Sequence, residues 1–196
     1  MSGMTLEEEA AAGERAHVPE WARWTRRLGF AFVVAVALGL VALLAYGLAN
    51  KGEAGAGPLR LNRAAPDFTL NLFEGGQFTL SENRGKPVVL NIWASWCEAC
   101  RDEADELEQA WRDYRDEGVV FVGVNVLDND AGARKYLEEF GVTYPNGPDE
   151  GSIYFDYGAT GVPETFFINR DGVIVLKYAG PLGADSLSAF IEEVLQ

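Results

Sequence analysis

The chain has 196 residues, 48% of them hydrophobic, which is enough for one domain with a packed core and shorter appended segments. Its 30 acidic and 16 basic residues give a net charge of −14, which disfavours binding to nucleic acids and to acidic membrane surfaces. One histidine and two cysteines are too few for a tetrahedral zinc site, which needs about four ligands, and we expect no bound metal.

The N-terminal part predicts a membrane anchor. Residues 28–49 carry no charge and would extend about 33 Å as a helix, close to the ~30 Å of a bilayer core. Arginines just before this span predict that 1–27 is a short cytoplasmic tail, and Gly and Ala in 50–60 predict a flexible linker. A cleaved signal peptide is the alternative, although the apolar run exceeds the 7 to 15 residues of a signal core. We therefore expect a single-pass protein of the cytoplasmic membrane whose remaining residues, 61–196, lie outside the cytoplasm.

Residues 61–196 predict one α/β domain. Alternating apolar residues on either side of two glycines predict a hairpin over 68–70 and 77–80, and the β-branched run 87–93 predicts a buried strand. An amphipathic helix follows, with its apolar side on the sheet and its carboxylates in water. The other elements predicted, in chain order, are a strand over 119–126, a helix over 130–140, strands over 165–168 and 173–178, and a helix over 184–195.

The two cysteines stand three positions apart, directly after the predicted strand 87–93. Cys97 is expected at the N-terminus of the following helix, where unpaired N–H groups and the helix dipole stabilise a thiolate, so we predict that it is the exposed nucleophile. Cys100 lies one turn further on the same side and is expected to be less exposed, as the residue that resolves a mixed disulfide.

Other uses of the cysteine pair are less consistent with the sequence. A disulfide that closes so short a loop gains only about 2 kcal/mol, against ~4.7 kcal/mol for a 100-residue loop, so it would stabilise the fold little. Covalent haem attachment requires a histidine after the second cysteine, where the chain has Arg101. The only redox group we expect is therefore the Cys97–Cys100 disulfide itself.

This order of elements, with W-C-x-x-C after the first core strand and Gly-Val-Pro at 161–163 before a later strand, resembles the thioredoxin fold. The A-P-D-F-T-L run at 65–70, the L-N-I-W-A-S-W-C stretch and P-E-T-F-F-I at 163–168 resemble the ResA/CcmG (DsbE)/TlpA group of membrane-tethered thiol-disulfide oxidoreductases. The segment 143–157 resembles the central insertion of that group, and either shapes substrate choice or covers a sheet edge.

The resemblance implies a reducing role outside the cytoplasm, often in cytochrome c maturation, where the haem-binding cysteines of apocytochrome c are kept reduced. It implies electrons from a membrane thiol reductase of the CcdA or DsbD kind. It also implies that Pro163 is a cis-proline facing the disulfide, with Val162 offering backbone groups and Trp96 framing the site for an extended client. The alternative for Pro163 is an ordinary trans turn proline.

Two departures from thioredoxin concern acid–base chemistry. Asn91 occupies the place of thioredoxin's buried acid and cannot accept a proton, so we assign proton transfer for Cys100 to Glu103, which matches an acidic residue of ResA-like proteins. The alternative is that Glu103 is one of several solvated carboxylates on the helix, and Glu164 is a weaker candidate. Glu98, next to Cys97, opposes the helix dipole, so we expect a reducing potential nearer thioredoxin's ~−270 mV than the ~−120 mV of a strong oxidant.

Two other functions share individual features of this sequence. A thiol peroxidase shares the A-P-D-F opening, but it needs Thr or Ser three positions before the reactive cysteine and Pro seven before, where this chain has Ala94 and Leu90. A redox-inert scaffold, or a chaperone for apocytochromes or copper-site assembly, would bind an extended cysteine-containing peptide without turnover. The sequence by itself does not name the client, and the intact cysteine pair favours the enzyme.

Overall fold

The computed structural model describes residues 32–45 and 58–196, which fall into two separate units. The first unit contains a helix over 32–45, α1, whose side chains are exposed. The remainder of the predicted anchor 28–49, the predicted tail 1–27 and residues 50–57 of the predicted linker lie outside the described residues. No helix in the described ranges is both long enough and apolar enough to cross a membrane.

The second unit is built on a six-stranded mixed sheet with the strand order β1-β8-β7-β4-β5-β6, accompanied by a separate hairpin, β2–β3. The central strand β4 pairs in parallel with β5 and antiparallel with β7. The strands are β1 (Leu59–Ala64), β2 (Thr69–Asn71), β3 (Gln77–Thr79), β4 (Val88–Trp93), β5 (Val120–Asn125), β6 (Asn146–Pro148), β7 (Glu164–Ile168) and β8 (Val173–Ala179). The helices are α2 (Glu98–Tyr114), α3 (Asp130–Glu139), α4 (Ile153–Asp156) and α5 (Ala184–Leu195), with short 3-10 turns at Leu80–Asn83 and Arg115–Glu117.

The sheet is covered on both faces, which explains why every residue of β4 is buried. Leu90 points into a core completed by the hairpin and α4, whereas Val89 points into a core completed by α2 and α5. Side chains alternate between the faces along a strand, so Asn91 shares the α2 face with Val89. The predicted α/β thioredoxin-like fold, with its N-terminal hairpin, is confirmed.

Two strands were not predicted from the sequence. β1 begins at Leu59, two residues before the predicted start of the domain, and pairs antiparallel with β8 at one edge of the sheet. Its sequence, LRLNRA, alternates apolar and polar residues only over 59–62, which is a weak signal for a strand, and five of its six residues are exposed. β6 pairs with β5 at the opposite edge and belongs, with α4, to the predicted insertion 143–157.

The insertion is held against the hairpin by a close backbone contact at Gly147. A Cβ atom built on Gly147 would lie 2.0 Å from the carbonyl oxygen of Asn71 in β2, and that oxygen cannot move without moving the strand. Only glycine therefore permits this approach of β6 to β2.

We expect Gly147→Ala to lower the free energy of unfolding by about 1–3 kcal/mol, because the added methyl group separates β6 from the hairpin. The matched control is Gly151→Ala, where an added Cβ meets no atom within 4 Å. Urea denaturation followed by tryptophan fluorescence measures both changes. Equal stability of the two variants would contradict the contact described here.

Candidate active site

The redox pair lies where β4 passes into α2. β4 ends at Trp93, a three-residue loop follows, and Cys97 caps the N-terminus of α2, as predicted. The backbone N–H of Cys100 donates to Sγ of Cys97 over 3.1 Å, so the first sulfur receives one of the unpaired donors of the helix. Cys97 and Cys100 form a disulfide with their Cα atoms 5.2 Å apart.

The two cysteines differ in exposure in the predicted order, although both are largely covered. Cys97 is 6% exposed and Cys100 is 1% exposed. They belong to an apolar cluster that includes Trp93 and Ala94, and Val162 packs against it. The prediction that Cys97 is exposed is wrong, because the sequence did not indicate the apolar cluster around it, against which Val162 packs from a distant part of the chain. Only a small part of Cys97 is therefore accessible to a client.

The loop before Cys97 is held in place by Asp128, which follows β5. Its carboxylate accepts hydrogen bonds from the backbone and hydroxyl of Ser95 at 2.6 and 2.9 Å, and from Asn125 and Asn129 at 3.0 and 2.8 Å. Burial favours a higher pKa for Asp128, but these hydrogen bonds outweigh it and hold the pKa below its usual value. Asp128 thus stays ionised and fixes the position of the loop.

Trp96 lies at the rim of the site, with 60% of its surface exposed. Its indole N–H donates to the backbone carbonyl of Leu127 over 2.9 Å, which ties the active-site loop to the loop after β5 a second time. The indole ring is therefore presented to solvent in one orientation beside Cys97.

The Val162–Pro163 peptide bond is cis, as the resemblance implied, and the trans alternative is wrong. Pro163 is buried, and its carbonyl accepts the N–H of Gly180 over 2.9 Å. Val162, the residue before the cis-proline, packs against the apolar cluster that contains both cysteines. That its backbone groups bind an extended client stays a prediction.

Glu103 is buried one helical turn beyond Cys100, with only 1% of its surface exposed. Its Oε1 accepts the side-chain amide of Asn91 over 2.8 Å, and its Oε2 accepts the backbone N–H of Leu182 over 2.9 Å. Burial raises the pKa of Glu103 to about 8, against the lowering effect of these two neutral donors. The alternative that Glu103 is a solvated carboxylate is therefore wrong.

Two other carboxylates predicted to be solvated or reactive have structural partners instead. Glu108 is buried and accepts the backbone N–H and hydroxyl of Thr143 at 2.7 and 2.6 Å, so not every carboxylate of α2 faces water. Oε1 of Glu164 accepts the N–H and hydroxyl of Thr160 at 3.0 and 2.7 Å. Its Oε2 accepts no hydrogen bond from the described residues and is neutralised by the ammonium of Lys177, 2.8 Å away. The ion pair makes Glu164 a weaker candidate base than Glu103.

The sequence did not single out Asp128, Leu127 or Tyr136. The phenol of Tyr136 in α3 donates to the carbonyl of Cys100 over 2.7 Å, and its ring stacks on Trp93 at 4.4 Å. Adjacent parallel strands terminate at the same end of a sheet. The turn after β5 could therefore have been expected to lie beside the turn after β4. Nothing in the local sequence around Tyr136 indicates its contact with α2.

Comparison with known proteins identifies the family. The AhpC/TSA family model matches residues 61–177. Thiol-disulfide oxidoreductase ResA of Halalkalibacterium halodurans is 30% identical over 171 residues, which cover 87% of this chain and 94% of that protein. The chain belongs to the AhpC/TSA family. ResA of Bacillus subtilis is also 30% identical, over 75% of this chain and 83% of its own.

A solved structure supports the same group within the AhpC/TSA family. The thiol:disulfide interchange protein DsbE of Chlorobium tepidum is 32% identical and superimposes with a TM-score of 0.65, over 70% of this chain and 99% of that chain. Together with the ResA relatives and the cysteine pair at the start of α2, it shows that this member of the family is a thiol-disulfide oxidoreductase of the ResA/DsbE-like group. Disulfide-containing proteins are accordingly its substrates.

We expect the stability of the oxidised protein to fall as the pH rises from 5 to 8, and Glu103→Gln to flatten this dependence. The folded-state pKa of about 8 lies above the usual 4.5, so between these values the folded chain binds a proton that the unfolded chain has lost. The free energy of unfolding then falls by up to about 1.4 kcal/mol per pH unit, as an order-of-magnitude bound. Urea denaturation at four pH values measures the slope.

Asp105→Asn removes an exposed carboxylate from the same helix and serves as the control. Asn91 can rotate its amide to accept from a glutamine at 103, so the Glu103→Gln variant should still fold. If Glu103→Gln kept the pH slope of the parent protein, the raised pKa of Glu103 would be refuted.

Proposed function

We propose that this oxidoreductase is a membrane-anchored reductant that acts outside the cytoplasm and keeps client disulfides reduced, with apocytochrome c as the client in cytochrome c maturation. The N-terminus lies in the cytoplasm and the redox domain on the other side of the membrane. A membrane thiol reductase of the CcdA or DsbD kind supplies the electrons, and the protein uses no cofactor other than its own cysteine pair.

The reaction proceeds by two thiol–disulfide exchanges. In the reduced enzyme the Cys97 thiolate attacks one sulfur of the client disulfide, and the other client sulfur leaves as a thiolate and takes up a proton. The Cys100 thiol loses its proton and attacks Sγ of Cys97, which releases the second client thiol and leaves the enzyme disulfide. The client gains two electrons, and two electrons from the donor reduce the enzyme again.

The observation that carries this mechanism is the position of Glu103. Cys100 is 1% exposed, so water has little access to its thiol proton and a group inside the protein has to accept it. Glu103 lies one turn along α2, where Cβ atoms are about 5–6 Å apart. Burial raises its pKa to about 8, toward the ~8.5 of a free thiol, which makes Glu103 a better proton acceptor for a thiol than an ordinary carboxylate.

Charges around Cys97 favour a reducing potential. The sulfur accepts one N–H at the start of α2, which stabilises the thiolate, but the exposed carboxylate of Glu98 is adjacent to it and opposes that effect. A less stable thiolate makes the dithiol a better electron donor.

Membrane anchoring is supported by the sequence and by one relative. Residues 28–49 form an uncharged run of bilayer length. The match to ResA of Halalkalibacterium halodurans spans 171 residues of this chain, and since 58–196 supplies only 139 of them, at least 32 matched residues precede residue 58. The similarity thus extends into the predicted anchor.

A redox titration tests the direction of electron flow. We expect a potential nearer ~−270 mV than ~−120 mV, and a shift to less negative values in Glu98→Gln, because removing this charge stabilises the Cys97 thiolate. Equilibration with glutathione or dithiothreitol buffers, read by thiol alkylation, measures both. A potential above about −180 mV would contradict a reducing role.

Trapping identifies the client. In Cys100→Ala the second exchange cannot occur, so clients should remain covalently attached to Cys97 and be released by dithiothreitol. Mass spectrometry of the captured proteins should find apocytochrome c. If copper-site assembly proteins or many unrelated disulfide proteins were recovered instead, apocytochrome c would be the wrong client and those proteins would be the clients.

The control for trapping is Cys97→Ser in the same background, which should capture nothing. If cells with Cys97→Ser matured cytochromes normally, the protein would act by binding without turnover, as a scaffold or chaperone.

A further inference from the structure

Two large apolar side chains are exposed at the rim of the redox site. Trp96 is 60% exposed and Leu127 is 84% exposed, and the hydrogen bond between the Trp96 indole and the Leu127 carbonyl holds the two residues together. They come from different loops, one before α2 and one after β5. We call this pair the apolar ledge.

The backbone of Leu127 is in an unfavourable conformation that directs its side chain into solvent. Its φ is +51°, in the left-handed region where glycine or asparagine is usual and a bulky apolar residue is disfavoured. The next residue, Asp128, accepts four hydrogen bonds that fix the turn. A leucine at this position does not stabilise the fold by burial, and its exposure calls for another explanation.

Exposed apolar residues elsewhere in 58–196 differ from the ledge. Leu59 is in the edge strand β1, and Phe155 in α4 packs its ring against Tyr154. α4 covers the face of the sheet opposite α2, and α2 carries the cysteines. Only Trp96 and Leu127 join directly to the loop that presents Cys97.

We propose that the ledge of Trp96 and Leu127 selects client segments in which a large apolar residue stands next to the attacked cysteine. This inference rests on the proposed reductase function and specifies its clients.

The covalent step determines what covers the ledge. During exchange the client cysteine is covalently bonded to Sγ of Cys97. The Cα atoms of the residues next to that cysteine in the client lie only ~3.8 Å from its own Cα atom. The client residue beside that cysteine is therefore brought to Trp96, which directly precedes Cys97. It is also brought to Leu127, whose carbonyl accepts the hydrogen bond of the Trp96 indole. Burying an apolar side chain there removes apolar surface from water on both partners. The exposed Glu98 on the other side of Cys97 disfavours an acidic client segment.

Competition between two model substrates tests the ledge in the full-length chain in detergent. Both are neutral peptides with one disulfide and differ only in Leu or Ser before the attacked cysteine, and each rate is normalised to that of dithiothreitol on the same peptide. We expect the parent protein to prefer the Leu peptide by about tenfold in kcat/KM, a usual range for one apolar contact. In Leu127→Asn the preference should fall to about twofold.

Leu127→Asn suits this purpose because asparagine tolerates positive φ and keeps the carbonyl that binds Trp96. Phe155→Asn, which removes an exposed aromatic residue from α4, is the matched control and should keep the tenfold preference.

Four outcomes would overturn the proposal in distinguishable ways. Equal rates for both peptides with the parent protein would refute the ledge while leaving the reductase function intact. If Leu127→Asn lowered kcat/KM equally for both peptides, Leu127 would support the loop and would not contact the client. Conversion of a dimer to a monomer by Leu127→Asn, seen by light scattering, would assign the ledge to a second copy of the chain. Failure of the parent protein to reduce either peptide would refute the reductase function itself.

Discussion

The parallel pairing of β4 with β5 is the constraint on which the redox site depends. Both strands run in the same direction, so the loops that follow them emerge at the same end of the sheet. One loop leads to Cys97 at the start of α2, and the other supplies the Asp128 carboxylate and the Leu127 carbonyl that hold it. The antiparallel neighbour β7 begins at this end of the sheet, directly after the cis Val162–Pro163 peptide, and Val162 packs against the cluster that contains the disulfide.

Two buried glutamates near this end of the sheet show how the surroundings of identical side chains give them different acid–base properties. Glu103 meets only neutral donors, from Asn91 and Leu182, so burial dominates and its pKa rises to about 8. Glu164 is equally buried, but it faces the ammonium of Lys177 on the neighbouring strand. The first environment raises the pKa of the carboxyl group, whereas the second provides a charged partner 2.8 Å away.

The elements added to the sheet edges do not contribute the reacting groups, but they affect the site indirectly. β6 supplies Asn146, whose side-chain oxygen accepts the indole N–H of Trp93 over 2.9 Å at the end of β4. Trp93 in turn stacks on Tyr136, whose phenol donates a hydrogen bond to the carbonyl of Cys100. The insertion therefore covers the edge of β5, one of the two roles predicted for it, and it also supports Trp93 at the end of β4.

The amino-acid sequence by itself determined those features that are encoded by local pattern. Apolar periodicity predicted the central strands, the hairpin and the helices α2, α3 and α5, and the spacing of Cys97 and Cys100 after a buried strand predicted their placement at a helix N-terminus. Only the tertiary structure decided the features that depend on long-range contacts. β1 exists because its backbone pairs with β8, Glu103 is buried because α5 and its preceding loop close over α2, and Leu127 projects beside Trp96 because two loops meet. Backbone pairing, burial and pKa depend on which distant segments pack together, and no local pattern of residues carries that information.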